Sequence, residues 1–288
     1  MITIESVLTC LEKLPALPAA AIRVSELARD ERSSAVDFER VIRPDAALTA
    51  NVLRFANSAY FGLRSKVESV RQAVALLGLK RTSELAAAAA LGPIIPSRLP
   101  GYEIDASGFW THCMAVAVLS ERLATELRLE HPDLIFTAGL LHDIGKIAIA
   151  SFVSNCAQEI MSRVHGGLAF VSAERAVLGV DHTEVGSAMA VAWKLPTAVG
   201  DVARLHHAPG EAPAGTDRVL IDLVHAADAL AHALGLGRDA GELARAVDPG
   251  AEERLGIRAR FLERVAGKSV DEIRELAQLF APGRGGSR

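Results

Sequence analysis

Along most of this chain apolar residues recur three and four positions apart, the spacing that lines one face of an α-helix, and strand-like alternation is hard to find. Start and stop signals divide the pattern into segments. Ser34 and Asp45 stand as N-caps, the second opening DAALTANVLRFAN directly after Pro44. Ser69 opens SVRQAVALLG, with Gly78 placed as its C-terminal stop. A long helix is predicted from about Ala106 to Leu127, carrying Trp110, His112 and Cys113. Further helices are predicted near Pro132–His142, Ser154–Val164, Asp181–Trp193, Pro196–His206, Asp217–Leu234 and Val270–Leu279. The expected fold class is all-α.

The pattern breaks in GPIIPSRLPGYEID, residues 92–105, where three prolines and two glycines interrupt the helices. This predicts an N-terminal helical subdomain over 1–98, a helical bundle over 105–235, and a C-terminal helical extension over 236–288 ending in a frayed tail, PGRGGSR. All nine histidines fall after residue 105, so any chemistry is expected in the second part. The run Ala86–Ala90 reads as a tightly packed helix face.

Bulk composition narrows the classes without naming one. Half of the 288 residues are apolar and only 5% are aromatic, enough for a sizeable core. No uninterrupted apolar run approaches the roughly 18–20 residues of a membrane span. The N-terminus MITIESVLTCLEKL lacks a basic n-region, so a secretory leader is not expected. Cys10, Cys113 and Cys156 are scattered and form no CxxC pair, which fits a reducing, cytoplasmic setting. A formal charge of −4 does not indicate a nucleic-acid binder.

Chemistry concentrates in LLHDIGKIAI, residues 140–149, where His142 and Asp143 interrupt an apolar run. Burying them unpaired would cost several kcal/mol, roughly 2–7 for a neutral polar group and more for a charge. A hydrogen-bond network, a metal ion or a substrate could satisfy them. His112, His182, the pair His206-His207 and Asp228 each lie on or at the end of a predicted helix. Imidazoles with carboxylates suit a divalent transition metal, Fe, Mn, Zn or Ni. Adjacent helical residues diverge by about 100°, so the two doublets converge on one point only at helix ends. Gly145 is expected to end the helix carrying His142-Asp143, and Pro209 follows His206-His207.

Plainer roles stand beside these. Asp181 is a natural N-cap, so His182 could belong to a capping segment, and Asp228 could pair with an arginine. His131, His165, His225 and His232 are read as surface or packing residues. In NSAYFG, Asn57 is expected to stop a helix while Tyr60 and Phe61 pack across the two halves. Trp193 reads as core, and Glu121–Arg128 as a solvated charged face.

His112, His142-Asp143 and Asp228 resemble the H…HD…D pattern of the HD superfamily of metal-dependent phosphohydrolases. His182 and His206-His207 look like the added histidines of its HD-GYP branch, which cleaves cyclic di-GMP at a two- or three-metal centre. After the second doublet, however, the chain reads APGEAPAG, with no GYP tripeptide. The fuller resemblance is to the HDOD domain, the HD-related output domain of bacterial signalling proteins, over roughly residues 10–235. Its carriers are LPALPAAAIRVSELARD, IRPDAALTANVLRFANSAYFG and SVRQAVALLGLKRTSEL in the first half. In the second they are FWTH, AGLLHDIGK, LGVDHTEVGSAMAVAWKLP and HHAP.

HDOD domains have no generally established catalytic function. The resemblance therefore implies a cytoplasmic regulatory module that binds a signalling protein partner or a small-molecule signal, with no membrane partner and with homo-oligomerisation open. No receiver, GGDEF or EAL segment precedes the matched region, so input is expected from another chain or a ligand. The metal residues implied are His112, His142, Asp143, His182, His206, His207 and Asp228. The alternative is a metal-dependent phosphohydrolase acting on a nucleotide, cyclic dinucleotide or other phosphate ester, with Lys146 as a phosphate contact. An HD-like bundle holding no metal is the third option.

Overall fold

Short polar side chains set where the helices begin. In the computed structural model, which describes residues 18–129, 134–237 and 246–279, Pro18 leads into α1 (Ala19–Leu27). Ser34 donates from both its backbone N–H and its hydroxyl to the Asp37 carboxylate, fixing the start of α2 (Ala35–Ile42). Asp45 accepts from the Leu48 N–H at 2.9 Å to open α3 (Ala46–Ala56). Asn57 ends α3 as expected: its amide donates to the Leu53 and Val67 carbonyls and accepts from the Val67 N–H.

Ser69 accepts from Gln72 N–H at the start of α4 (Val70–Leu91). Gly78 does break this run, at φ 84° and ψ 168°, but the chain re-enters a helix immediately. Only glycine takes that conformation without a steric penalty. Residues 92–105 pass through a 3₁₀ turn and a two-residue antiparallel pair, β1 (Arg98–Leu99) with β2 (Ile104–Asp105), Arg98 facing Asp105. These are the only strands among the described residues, and the fold is all-α otherwise.

Asp105 caps α5 (Ala106–Glu126) through the Gly108 N–H. This helix is buried almost all round, the mark of a core helix. There follow α6 (Ile135–Leu141), α7 (Ile144–Asn155), α8 (Ala157–His165), α9 (Phe170–Leu178), α10 (His182–Ala192), α11 (Thr197–Leu205), α12 (Arg218–Ala233), α13 (Pro249–Leu255) and α14 (Ala259–Leu279). The helices α6, α12 and α14 pack on α5, and α10 packs on both α7 and α11. In the first half α1, α2 and α3 surround α4, which reaches α6. Nearly all the buried apolar side chains of the described residues, from Ala21 to Ala277, form one continuous cluster. Ile135–Asn155 is long and apolar enough to cross a membrane, yet 83% of its most apolar window is buried inside this fold.

Several sequence expectations shift. The helix α7 begins at Ile144, so Gly145 does not end a helix; it lies in the first turn of one. A Cβ there would sit 1.9 Å from the His182 carbonyl oxygen and 2.6 Å from the Gly186 nitrogen, so glycine is required by the close approach of α10. The Glu121–Arg128 face is not simply solvated. Glu121 is buried, accepting from the Tyr60 hydroxyl at 2.7 Å and pairing with Arg81, while Arg122 meets Glu272 and Glu126 meets Lys268 on α14. Tyr60 thereby ties the two halves together as expected. Trp193 is half-buried against the core. Cys10, His131 and the PGRGGSR tail lie outside the described residues.

Candidate metal centre

His112 projects from the middle of α5. His142 is the last αR residue closing α6, and Asp143, at φ −104° and ψ 12°, turns the chain into α7. That break lets neighbouring side chains reach one place. Asp181 does cap α10, accepting from the Thr183 and Glu184 N–H groups, which leaves His182 free to point inward from the first position of the helix. His206 closes α11 with His207 next to it, and Asp228 lies on the buried face of α12. Both doublets therefore sit at helix ends, as the angular argument requires.

All seven expected residues come together, in two groups. In the first, His112, His142 and Asp228 offer donor atoms within 4.8 Å of one another, and in the second Asp143, His182, His206 and His207 do the same. Asp143 faces both. Its Oδ2 lies 3.4 Å from His142 Nε2 and 3.7 Å from His112 Nε2, while its Oδ1 lies 3.5 Å from both His182 Nε2 and His206 Nε2. Asp228 Oδ1 is 3.1 Å from His112 Nε2 and 3.7 Å from His142 Nε2.

The outer hydrogen bonds decide which ring nitrogens face inward as lone pairs. The Nδ1 of His112 lies against the Leu236 carbonyl at 3.2 Å, that of His142 against the Gly139 carbonyl at 2.7 Å, and that of His206 against the Ala203 carbonyl at 3.0 Å. The Nδ1 of His182 meets Glu174 Oε2 at 2.6 Å. A carbonyl or carboxylate accepts, so each Nδ1 carries a proton, and in the neutral ring each Nε2 presents a lone pair. His112 and His142 then bring two such nitrogens within 3.3 Å of each other, beside two carboxylates. Asp143 Oδ1 and His206 Nε2 are buried without a hydrogen-bond partner, their 3.5 Å separation being too long for a good one. Buried acceptors such as these, gathered beside two carboxylates, are stabilised by a positive charge, a proton on His142 or a cation, and imidazoles held at Nδ1 by carbonyls and a carboxylate are the usual outer shell of metal-ligating histidines. The residues fit a metal.

Protonation follows the same field. Burial alone would lower the His142 imidazole, but Asp143 and Asp228 raise it to about 9. Burial takes His206 down to about 4 and lowers His112. Against burial, Lys146 and His142 hold the Asp143 carboxyl well below the usual carboxylate range. Against burial again, His112, His142 and His232 do the same for Asp228.

Lys146 is itself buried and makes a 2.7 Å ion pair with Asp143 Oδ2, its ammonium lying 5.5 Å from the Tyr102 ring centroid. Tyr102 donates to Glu174 Oε1 at 2.5 Å, so Lys146, Tyr102, Glu174 and His182 form a chain of contacts behind the centre. Among the described residues Asp228 meets His112, His142 and His232.

Three contributors escaped the sequence reading. His232, taken for surface or packing, lies one helical turn beyond Asp228, with Nε2 3.3 Å from its Oδ1. His225, taken likewise, is buried: its Nδ1 donates to the His206 carbonyl at 2.6 Å, and its Nε2 accepts from the Asp248 N–H. The i,i+4 spacing from Asp228 was the available signal for His232. Glu174 lies on α9, a helix that was not anticipated. His165 is exposed, as expected.

Comparison with known proteins places this geometry. The family model for the HDOD domain matches residues 14–209, more than half of the chain, and ends before Asp228. An uncharacterised protein of Treponema pallidum (strain Nichols) is 24% identical over 217 residues, covering 70% of this chain. The chain spans only 39% of that relative's length. An HDOD domain protein of unknown function from Geobacter sulfurreducens superposes with a TM-score of 0.76 at 24% identity, over 96% of this chain and 99% of its own. A candidate phosphohydrolase of Shewanella amazonensis SB2B gives a TM-score of 0.74 at 25% identity, over 96% and 98%. A candidate signal transduction protein of Marinobacter aquaeolei VT8 gives 0.72 at 21%, over 97% of this chain and 61% of its own.

Proposed function

The chain belongs to the HDOD domain family, and from that premise we propose that it is a cytoplasmic regulatory module with a bound divalent transition metal, acting by binding a protein or small ligand. His112, His142 and Asp228 would hold one ion, and His182, His206 and His207 a second, with Asp143 shared between them. The observation that carries this reading over an enzyme is closure. Six of the seven donors and Lys146 are buried, and only His207 is half-exposed. Lys146 spends its charge on Asp143, which leaves the centre equipped to hold a cation more than to admit a phosphate ester. The metal would then brace α5, α6, α10, α11 and α12 around one point, and the module would present helix surfaces to its partner.

A second reading keeps a specific support. A carboxylate reaching toward two donor groups is the arrangement of two-metal hydrolases, and the 25% identical relative from Shewanella amazonensis is named for phosphohydrolysis. A bound metal would lower the pKa of a coordinated water and polarise a phosphoryl oxygen. In that case His207, at the solvent edge, marks the side of approach.

Elemental analysis of protein purified without a metal-binding tag separates the readings, alongside the variant His142→Ala/Asp143→Ala. Stoichiometric metal in the parent, absent from the variant, with no turnover of cyclic dinucleotides, nucleotides or phosphomonoesters is the expected result. Turnover abolished in the variant would establish the hydrolase. Metal well below one equivalent in the parent would end both.

A further inference from the structure

Four polar residues follow one another along α12: Asp222, His225, Asp228 and His232. Their spacing of three and four positions sets them on one face of the helix, and all four are buried. Asp228 and His232 lie at the metal centre. The other two contact α13, and the metal reading gives them no role. Asp222 accepts from both Nε and Nη2 of Arg254, each at 2.7 Å, a charge-assisted bidentate pair that docks α13 on α12.

His225 joins that docked helix to the centre. Its Nδ1 donates to the His206 carbonyl at 2.6 Å and its Nε2 accepts from the Asp248 N–H at 2.8 Å, so both ring nitrogens are committed. Asp248 is the N-cap of α13, accepting from the Ala251 N–H at 2.9 Å. His206 ends α11, where the last carbonyls have no partner within the helix, and His225 supplies one to the carbonyl of the doublet itself. The same α13 packs on the Pro209–Glu211 turn that follows the doublet. Moving α13 therefore disturbs the partner of the His206 carbonyl and the turn beyond it together.

We propose that α13 is a lever on the metal centre, with His225 as the positioning residue that carries its docking to His206-His207, so that metal occupancy and α13 docking strengthen each other; this rests on the metal reading above. Such coupling is reciprocal: whatever factor docking adds to metal affinity, bound metal adds to docking. An occupied centre keeps α13 seated on α12, and an emptied one loosens it.

The test titrates Co²⁺ into the full chain after dialysis against a chelator. Visible absorption reports affinity and ligand field, and hydrogen exchange of the α13 amides reports docking. In the parent, Co²⁺ is expected to slow exchange across α13 by about fivefold or more, the low end of ordinary couplings, and by more than across α14. Arg254→Ala breaks the pair with Asp222 at a partly exposed side chain; it should weaken Co²⁺ by a similar factor and shift the visible band, and Arg254→Lys should restore part of both. Glu272→Ala removes an ion pair of similar exposure on α14 and should leave Co²⁺ affinity unchanged. His225→Phe should abolish the effect of Co²⁺ on α13. Exchange slowed no more in α13 than in α14, parent-like affinity in Arg254→Ala, or an equal loss in Glu272→Ala overturns the lever while the metal reading stands. A parent that takes up no Co²⁺ overturns both. Should His225→Phe fail to fold, the parent and the Arg254 variants decide.

Discussion

Gly145 is the residue on which the two sides of the centre meet, and it does so by having no side chain. A methyl group there would collide with backbone atoms of α10, which cannot swing aside as a flexible side chain would. Gly145→Ala is therefore expected to cost about 3 kcal/mol, at the upper end of overpacking penalties, measured by urea denaturation. Because the clash falls on the His182 carbonyl, metal content should drop in the same variant. Glu174 acts at one remove. It holds Nδ1 and the backbone N–H of His182, so Glu174→Gln should weaken metal affinity by about tenfold, read by competition with a chelating dye, with little change in the far-UV spectrum. The gathering of the seven residues was legible because doublets inside apolar runs are hard to explain otherwise and because family spacing connects them. Glu174 and His225 were not, since neither sits in a motif and their role exists only through the partner each one orients.

At the scale of elements, α14 covers the charged side of α5 and shows which contacts hold a helix in place. Its ion pairs, Arg122 with Glu272 and Glu126 with Lys268, are partly exposed and screened by solvent. Its buried apolar residues, among them Ile273 and Leu276, are not. Ile273→Ala is expected to cost about 2–5 kcal/mol, and Glu272→Ala under about 1 kcal/mol, both by chemical denaturation. Helix starts were readable at the Ser and Asp caps at residues 34, 45, 69 and 181, but not at Asp248, which caps the short α13. The junction at Asp143 was not, because the chain bends there without a proline or a terminal glycine, and the glycine that follows serves a tertiary contact. The helix α7 was missed for the same reason. The apolar run looked like the end of one helix and is in fact the join of two.

For the molecule as a whole, Glu84 sets a pH dependence at the seam between the halves. Its carboxyl is raised by burial and by Glu121, against Arg81 and Lys80, to about 7 from an ordinary 4.5. A raised carboxyl binds its proton more tightly in the folded state, so its stabilising contribution is full below about pH 4.5 and is lost as pH rises through 7. In unliganded protein, the stability difference between Glu84→Gln and the parent should therefore grow in favour of the variant across that window, as measured by thermal unfolding at matched ionic strength.

The centre also gathers its parts from across the chain. His112 is held by the carbonyl of Leu236, 124 positions away, and the matched family region ends before Asp228 and His232 are reached. Such long-range closure comes late in folding, after the entropy of the intervening loop has been given up. On the proposed metal reading, capture of the ion is a clock for completion. In stopped-flow refolding, uptake should proceed at the rate of the slowest folding phase and stay independent of metal concentration, so that a chain halted before α12 has formed would leave its imidazoles exposed and its ion unclaimed.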